Sequence, residues 1–252
     1  MKKFIKKFLI ILFWILVWFV VSLIVNNDLL FPGPLTVIGK LFELLITTTF
    51  WASVLMSLFR VILGILIAVV AGVALALLSY KFAIVHDILS PLMTIARATP
   101  VASFIILIAL FIGASTVPSV ITFIMVFPII WQTVYDGLTN VNKDLKEVCT
   151  IYKLPFTKQL KVLYLPSILP QFTSATITSI GLGWKAGIAA EILFPPLKSI
   201  GKAIYDSNWL LKTDELFAWT LVVILLSIGI EAILKLIVKA TSKEKGGSNE
   251  NN

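Results

Sequence analysis

The segment DGLTNVNKDLKEVCTIYKLPFTKQLKVLYLP, residues 136–166, is the longest polar stretch between the apolar segments of this 252-residue chain. Apolar residues recur every three or four positions in its first half, which predicts one helix with an apolar stripe. The stripe consists of Leu138, Val141, Leu145, Val148 and Tyr152. Pro155 interrupts the pattern, and Thr157 is placed to cap a second short helix, 158–165, that ends before Pro166. The loop is therefore predicted to fold as helix, break and helix, although a solvated amphipathic connector would show the same periodicity.

The rest of the chain is far more apolar than a soluble protein. Hydrophobic residues make up 59% and charged residues 13% of the sequence, whereas soluble domains average about 45–50% and about 25%. A single soluble domain of this length could not bury so much apolar surface, and disorder requires the opposite composition. The composition thus excludes a soluble globular enzyme and predicts an all-α, multi-pass membrane protein.

Six segments are long and apolar enough to span a bilayer as helices of about 20 residues. They are 8–25, 52–80, 88–111, 117–135, 167–194 and 216–238. The predicted organisation is an N-terminal lysine cluster with the first span (1–25), an outer loop with an amphipathic helix (26–51), a core of five spans (52–240) that includes the 136–166 loop, and a disordered tail (241–252).

The distribution of lysine predicts that both termini lie inside the cell. Lysines gather in the N-terminal segment and in the 136–166 loop, whereas the segments on the opposite side hold only a few. The first group includes Lys2, Lys3, Lys6, Lys7, Lys143, Lys146, Lys153, Lys158 and Lys161, and the second is Lys40, Lys198, Lys202 and Lys212. Cytoplasmic loops carry the excess of lysine and arginine. The net charge of +8 therefore indicates orientation rather than a nucleic-acid surface.

Enzymatic and metal chemistry have little support in the sequence. A single cysteine, Cys149, and a single histidine, His86, exclude multi-cysteine and paired-histidine metal sites. The sequence has no phosphate-binding loop, because the Gly-Lys pairs at 39–40 and 201–202 lack both the glycine five residues earlier and the following Ser or Thr. We therefore predict no enzymatic activity, no cofactor and no metal, and ATP hydrolysis would have to come from another polypeptide.

The 136–166 loop resembles the EAA loop of binding-protein-dependent ABC importer permeases. That pattern is Glu-Ala-Ala, three residues, Gly, nine residues, Ile, one residue and Leu-Pro. The corresponding residues here, with the spacing intact, are Glu147, Val148, Cys149, Lys153, Leu163, Leu165 and Pro166. Lysine adopts the left-handed conformation of the replaced glycine only with strain. We therefore expect the turn to be built differently, around Leu154 and Pro155.

Other short segments are similar to the nitrate/sulfonate/taurine branch of these permeases. They are 30–34, 57–61, 97–100, 111–113 and 127–129, with Trp184 and Glu191 near the end of the fifth span. The resemblance implies a type I ABC importer permease-like bundle of six spans in the bacterial cytoplasmic membrane. The implied partners are ABC ATPase subunits, an extracytoplasmic solute-binding protein and a second permease subunit, either identical or different.

The resemblance also implies how the loop would act. Its first helix would dock in a groove of each ATPase, with the apolar stripe against the permease. Glu147 would face a basic residue of the ATPase, and Val148 and Cys149 would pack into the groove. The implied substrate is a small solute, possibly an anion such as a sulfonate, taurine or nitrate. The alternative is a secondary transporter or channel, which would need coupling-ion sites at broken helices in paired repeats.

Charged residues within predicted spans are candidates for the translocation path or for gating, because charge at membrane depth is costly. Arg97 lies between Pro91 and Pro100, whose freed backbone carbonyls a guanidinium could bond. Lys185, which follows Trp184, is a candidate for attracting an anion. Arg60 and Glu191 are candidates for the path or for structural pairing, and Glu191 could pair with Arg60 or Lys185.

Overall fold

The computed structural model describes residues 2–247, except the side chains of 2–4, 156 and 237–247. Regular structure within this range is helical, as predicted. The helices are α1 Lys2–Val25, α2 Pro34–Leu45, α3 Thr48–Lys81, α4 Ala83–Ala98, α5 Val101–Ala109, α6 Val117–Thr139, α7 Lys143–Ile151, α8 Phe156–Gln159, a π-helix Leu160–Tyr164, α9 Leu165–Leu193, α10 Ile200–Trp209 and α11 Thr213–Gly247.

Four helical segments within the described residues are long and apolar enough to cross a membrane: Ile5–Val25, Thr48–Lys81, Val117–Thr139 and Thr213–Leu236. The pair α4 and α5 is a fifth candidate if it counts as one broken span. Helix α9, with 29 residues, has the length but a more polar sequence. The helical membrane fold is thus confirmed, whereas the count of six spans and the orientation stay predictions.

The third predicted span, 88–111, is not one continuous helix. Helices α4 and α5 are bent by 106° relative to each other, with the break at Thr99 and Pro100. Proline disfavours helical backbone at the residue before it, and Thr99 is extended, with ψ 133°. Pro100 then stands at the N-cap of α5. The prediction of a continuous span was wrong at this position.

The C-terminal tail is helical over more of its length than predicted. Helix α11 continues to Gly247, past the predicted boundary at 241, because 241–245 holds Lys243, Glu244 and Lys245, which are good helix formers. Residues 248–252 of the predicted disordered tail lie outside the described part of the chain.

The chain divides into two compact units. The first comprises Met1–Ser57 and Glu191–Leu226. Aromatic residues pack its helices: the Trp18 and Phe31 rings lie on Phe217, and Phe50 stacks on Trp219 with centroids 5.0 Å apart. Because aromatic side chains bury large areas, these contacts hold α1, α3 and the start of α11 together.

The second unit comprises Leu58–Ala190 and Ser227–Asn252. Its helices approach closely where small residues face a neighbour: a Cβ on Gly183 would lie 2.8 Å from Val126, and one on Gly187 would lie 2.6 Å from Val61. Small residues at helix contacts are typical of membrane bundles. Helix α4 packs on α6 through His86, whose ring stacks on Tyr135 with centroids 4.3 Å apart.

Candidate functional site

Helix α7, the first helix of the 136–166 loop, has a strong N-terminal start. Asn142 is its N-cap, and its side-chain oxygen accepts a hydrogen bond from the Asp144 N–H at 2.8 Å. Asp144 also places a negative charge in the first turn, where it complements the helix dipole. A capped start matters here because a nine-residue helix is marginal on its own.

Lys153 forms the turn that ends α7. Its φ is 49°, in the left-handed region. The Lys153 N–H donates to the Thr150 carbonyl and the Leu154 N–H to the Cys149 carbonyl, each at 3.0 Å. This pair of bonds is the Schellman motif, in which glycine usually occupies the left-handed position. The expectation of a different turn around Leu154 and Pro155 was wrong, because lysine adopts the glycine conformation at a cost of about 1–2 kcal/mol.

The apolar residues of α7 point mainly outward. Cys149 is buried, at 6% exposure, whereas Leu145 (52%), Val148 (46%), Ile151 (76%) and Tyr152 (74%) are exposed. The predicted stripe joined Leu145, Val148 and Tyr152 to Leu138 and Val141, which are buried, so the prediction of one common face was wrong. Helix α6 ends at Thr139 and α7 begins at Lys143, so the intervening non-helical residues break the periodicity. Glu147 is exposed on the same helix.

The second half of the loop runs directly into α9. The Pro155 carbonyl accepts from the Lys158 and Gln159 N–H groups, so α8 begins at Phe156 rather than after a Thr157 cap. The helix does not end before Pro166: Leu165 donates its N–H to the Leu160 carbonyl, five residues back. Pro166 has no N–H with which to continue this series of hydrogen bonds, and the π-turn lies directly before it.

Tyr164 attaches this second half to α3. Its side chain is 2% exposed, and its hydroxyl lies 2.8 Å from that of Tyr80, near the end of α3. Burial is the largest cause of the raised pKa of Tyr164, about 12, and the hydrogen bond to Tyr80 is the second. Leu163 beside it is buried, whereas Leu165 and Pro166 are exposed. No local sequence pattern singles out Tyr164, because its partner is 84 residues away.

The predicted charges within spans have different environments. Arg60 is buried, and its carbonyl accepts from the Ser119 hydroxyl at 2.8 Å. Arg97 is exposed in the last turn of α4, and its Nε donates to the Met93 carbonyl at 3.3 Å. That carbonyl lies one turn earlier in the same helix and is not one freed by a proline.

Trp184 and Lys185 lie on different faces of α9. The indole of Trp184 is buried, at 1% exposure, whereas Lys185 is exposed. A buried indole beside an exposed lysine gives α9 one packed face and one charged face. The structure therefore leaves Lys185 accessible, but a role of either residue in the path stays a prediction.

Glu191 is the centre of a buried polar cluster in the first unit. Its Oε2 accepts from the Ser57 hydroxyl at 2.6 Å and from the Gly201 N–H at 3.2 Å. The Ser57 Oγ in turn accepts from the Ile200 N–H at 2.9 Å, and Ser199 caps α10 by accepting from the Lys202 N–H. The predicted pairing of Glu191 with Arg60 or Lys185 stays a prediction.

This cluster joins three helices at the start of α10. The carboxylate complements the positive end of the α10 dipole, and a side chain on Gly201 would overlap the Cβ and carbonyl carbon of Glu191. The local sequence signal was Ser199 before a helical segment, which is a typical N-cap. The partners Ser57 and Glu191, 134 residues apart, could not be paired from sequence.

The described residues contain no group of three His, Cys, Asp or Glu that could hold a metal ion. A helical chain with several membrane-length helices and an outward-facing loop helix defines a multi-pass membrane component. Residues 64–243 match the family described as binding-protein-dependent transport system inner membrane component. The chain belongs to this family, and it is a permease of the cytoplasmic membrane.

Individual relatives agree with this assignment. The nitrate import permease protein of Leptolyngbya laminosa is 31% identical over 160 residues, 63% of this chain and 56% of the relative. The bicarbonate transport system permease protein of Synechococcus elongatus is 30% identical over 160 residues, 63% and 57%. The taurine transport system permease protein of Escherichia coli is 22% identical over 224 residues, 86% and 81%. The chain thus spans little more than half of the first two relatives. All three are transport permeases, not enzymes.

Proposed function

We propose that this chain forms the translocation path of an ATP-driven importer for a small anion, and that ATP is hydrolysed on separate subunits that bind α7. Nitrate, bicarbonate and taurine, the solutes in the relatives' names, are small and each carries an anionic group. This shared chemistry supports a small oxyanion or sulfonate as the substrate. Selectivity among them would lie chiefly in the solute-binding protein.

The observation that carries the proposal is the exposed apolar face of α7. Leu145, Val148 and Ile151 lie on a helix that is capped at one end and fixed by a Schellman turn at the other. A rigid amphipathic helix with apolar anchors is what a hydrophobic groove binds. Glu147 beside these anchors supplies a charge for a basic residue at the groove's rim. The buried Cys149 thus packs within this chain, and Val148 rather than Cys149 is the groove contact.

The path itself would be lined in part by α9. Lys185 is exposed on that helix, and a lysine at membrane depth usually faces protein or water. We expect Lys185→Ala to lower uptake without lowering the amount of protein in the membrane. Unchanged uptake by that variant would remove Lys185 from the path. Arg60, Arg97 and Trp184 are further candidates: Arg60 and Trp184 are buried, and the Nε of Arg97 donates to the Met93 carbonyl of its own helix.

Two further partners complete the proposed assembly. A second permease subunit, identical or related, would face this one across the path, and a solute-binding protein would dock on the side opposite α7. Separating the subunits of the importer, purified in detergent, by mass would show whether its two permease subunits are identical or different. Ligand binding by the solute-binding protein encoded beside this chain would identify the substrate.

Co-purification tests the proposal directly. Tagged permease is expected to bring down an ATPase, and Glu147→Ala and Val148→Asp should each weaken that complex. Glu43→Ala is the matched control, because Glu43 is an exposed glutamate on α2, outside the loop. If the wild-type permease binds no ATPase, or if Val148→Asp binds it as tightly as wild type, the proposed coupling is wrong.

A further inference from the structure

Tyr164 lies at the junction of three structural elements in the second unit. It belongs to the π-helix that continues into α9, its hydroxyl lies 2.8 Å from that of Tyr80 on α3, and its ring meets the Tyr80 ring edge-on with centroids 5.8 Å apart. Helix α7 reaches this segment through its C-terminal turn, where the Leu154 N–H donates to the Cys149 carbonyl, and through Pro155, whose carbonyl accepts from the Lys158 and Gln159 N–H groups.

We propose that Tyr164 is the positioning residue through which movement of the ATPase-facing helix α7 reaches the long membrane helix α3. The proposal rests on the proposed function, because it gives the docked helix a defined connection to one span. It adds a specific route: from α7 through its Schellman turn and α8 to the π-helix, and from the Tyr164 hydroxyl to Tyr80.

The chemistry of the hydroxyl pair suits a permanent connection. A phenol with a pKa of about 12 is neutral throughout the physiological range, so the Tyr80–Tyr164 bond does not depend on pH. A hydrogen bond that is shielded from water is also stronger and more directional than an exposed one.

The surroundings of the π-helix allow the segment to move. An apolar cavity of about 230 Å³ lies beside it. The cavity is lined from the loop side by Leu160 and Leu165 and from the membrane helices by Val73, Leu77, Val134, Leu138, Ile168, Leu169 and Phe172. The cavity is open, because Leu165 and Leu169 in its lining are exposed. Side chains of this chain therefore do not fill the space beside the π-helix, and π-bulges within helices occur frequently at functional sites. If the π-helix moves, the Tyr164–Tyr80 contact limits its direction, because closely packed side chains do not.

Hydrogen exchange on the permease–ATPase complex tests this route, with the nucleotide AMP-PNP as the probe. In wild type, AMP-PNP should change exchange both in the loop and at the end of α3, residues 70–81. In Tyr164→Phe the loop response should persist, whereas the response at 70–81 should fall about fivefold, the equivalent of one lost hydrogen bond. Tyr80→Phe should give the same result, and the double variant should be no worse than either single one.

The control is Tyr152→Phe, which removes a hydroxyl from an exposed tyrosine of the same loop and should leave both responses intact. A hydroxyl with only a structural role would lower the melting temperature and weaken both responses together. An unchanged response at 70–81 in Tyr164→Phe and Tyr80→Phe, or additive losses in the double variant, would overturn the proposal. If the wild-type complex does not form at all, the proposed function fails, and the role of Tyr164 fails with it.

Discussion

Helices α7 and α10 are similar in construction but are held to the chain in different ways. Each has a side-chain cap, Asn142 for α7 and Ser199 for α10. Each ends in a Schellman turn with a positive φ at a residue other than glycine, 49° at Lys153 and 55° at Leu211. In the second turn the Leu211 N–H donates to the Asn208 carbonyl and the Lys212 N–H to the Ser207 carbonyl.

Helices α7 and α10 differ in the buried groups that attach each of them to the rest of the chain. The start of α10 is fixed by the buried Glu191 carboxylate and the Ser57 hydroxyl. Gly201 lies so close to Glu191 that a side chain there would have no space. Helix α7 buries only the small side chain of Cys149, and its larger apolar residues stay exposed. The start of α10 is thus fixed within this chain, although its end exposes Trp209 and Leu210. We infer that α7, which lacks such an anchor, is completed by a partner.

The largest expected effect is from Glu191→Ala. The change leaves the Ser57 hydroxyl and the Gly201 N–H without their buried acceptor and opens a cavity, so the free energy of unfolding should fall by about 3 kcal/mol. Thermal unfolding in detergent measures it. Glu147→Ala, on exposed α7, should change stability by less than about 0.5 kcal/mol. Equal losses in the two variants would contradict the contrast between the helices.

Val148→Asp should affect the partner and not the fold. Replacing a central apolar anchor by a charge should weaken ATPase binding about 30-fold, a change typical of an interface hot spot. Surface plasmon resonance between purified permease and ATPase measures the affinity. The melting temperature of the variant should stay within a degree or two of the wild-type value. Leu210→Asp, at the exposed end of α10, is the matched control and should bind ATPase normally.

Ser57→Ala should have a smaller effect than Glu191→Ala, in the same direction. It removes both the hydroxyl donor to Glu191 and the acceptor of the Ile200 N–H, which should cost about 1–2 kcal/mol. Ser167→Ala provides the comparison, because the Ser167 hydroxyl donates only to the Leu163 carbonyl one turn earlier. If the Ser167 variant is destabilised more in the same unfolding experiment, the anchor role of Ser57 is wrong.

Lys153→Gly and Leu211→Gly should give the smallest changes and should stabilise the protein. Glycine relieves the left-handed strain but adds freedom to the unfolded chain, which leaves a net gain of about 0.5–1 kcal/mol. Equal gains would show that the two turns are equivalent despite the different anchors. Lys146→Gly, in the middle of α7, should instead lose about 1 kcal/mol.

The sequence predicted those elements that depend on local patterns. Membrane-length apolar runs, the short helix before residue 46 and the helix-break-helix order of the loop follow from composition and periodicity. The bend at Pro100 shows the limit: Pro91 and Pro128 lie inside α4 and α6, so the effect of a proline depends on packing that the local sequence does not contain.

The helices of the 136–166 loop were predicted from periodicity, but the direction in which their side chains face was not. The interruption after Thr139 rotates α7 relative to the predicted stripe, so that Cys149 faces inward. The anchors Tyr80–Tyr164 and Ser57–Glu191 join residues 84 and 134 positions apart. Pairings at such distances arise from tertiary folding and leave no periodic signal.

The bend between α4 and α5 has a consequence for the surrounding lipid. With 16 and nine residues, the two helices are about 24 Å and about 14 Å long at 1.5 Å per residue, and neither matches a hydrocarbon thickness of about 30 Å. Hydrocarbon also offers no hydrogen-bond partners to the backbone at the break. We therefore expect this stretch to create hydrophobic mismatch, so that bilayer thickness affects transport rate through residues 83–109 more than through the longer helices.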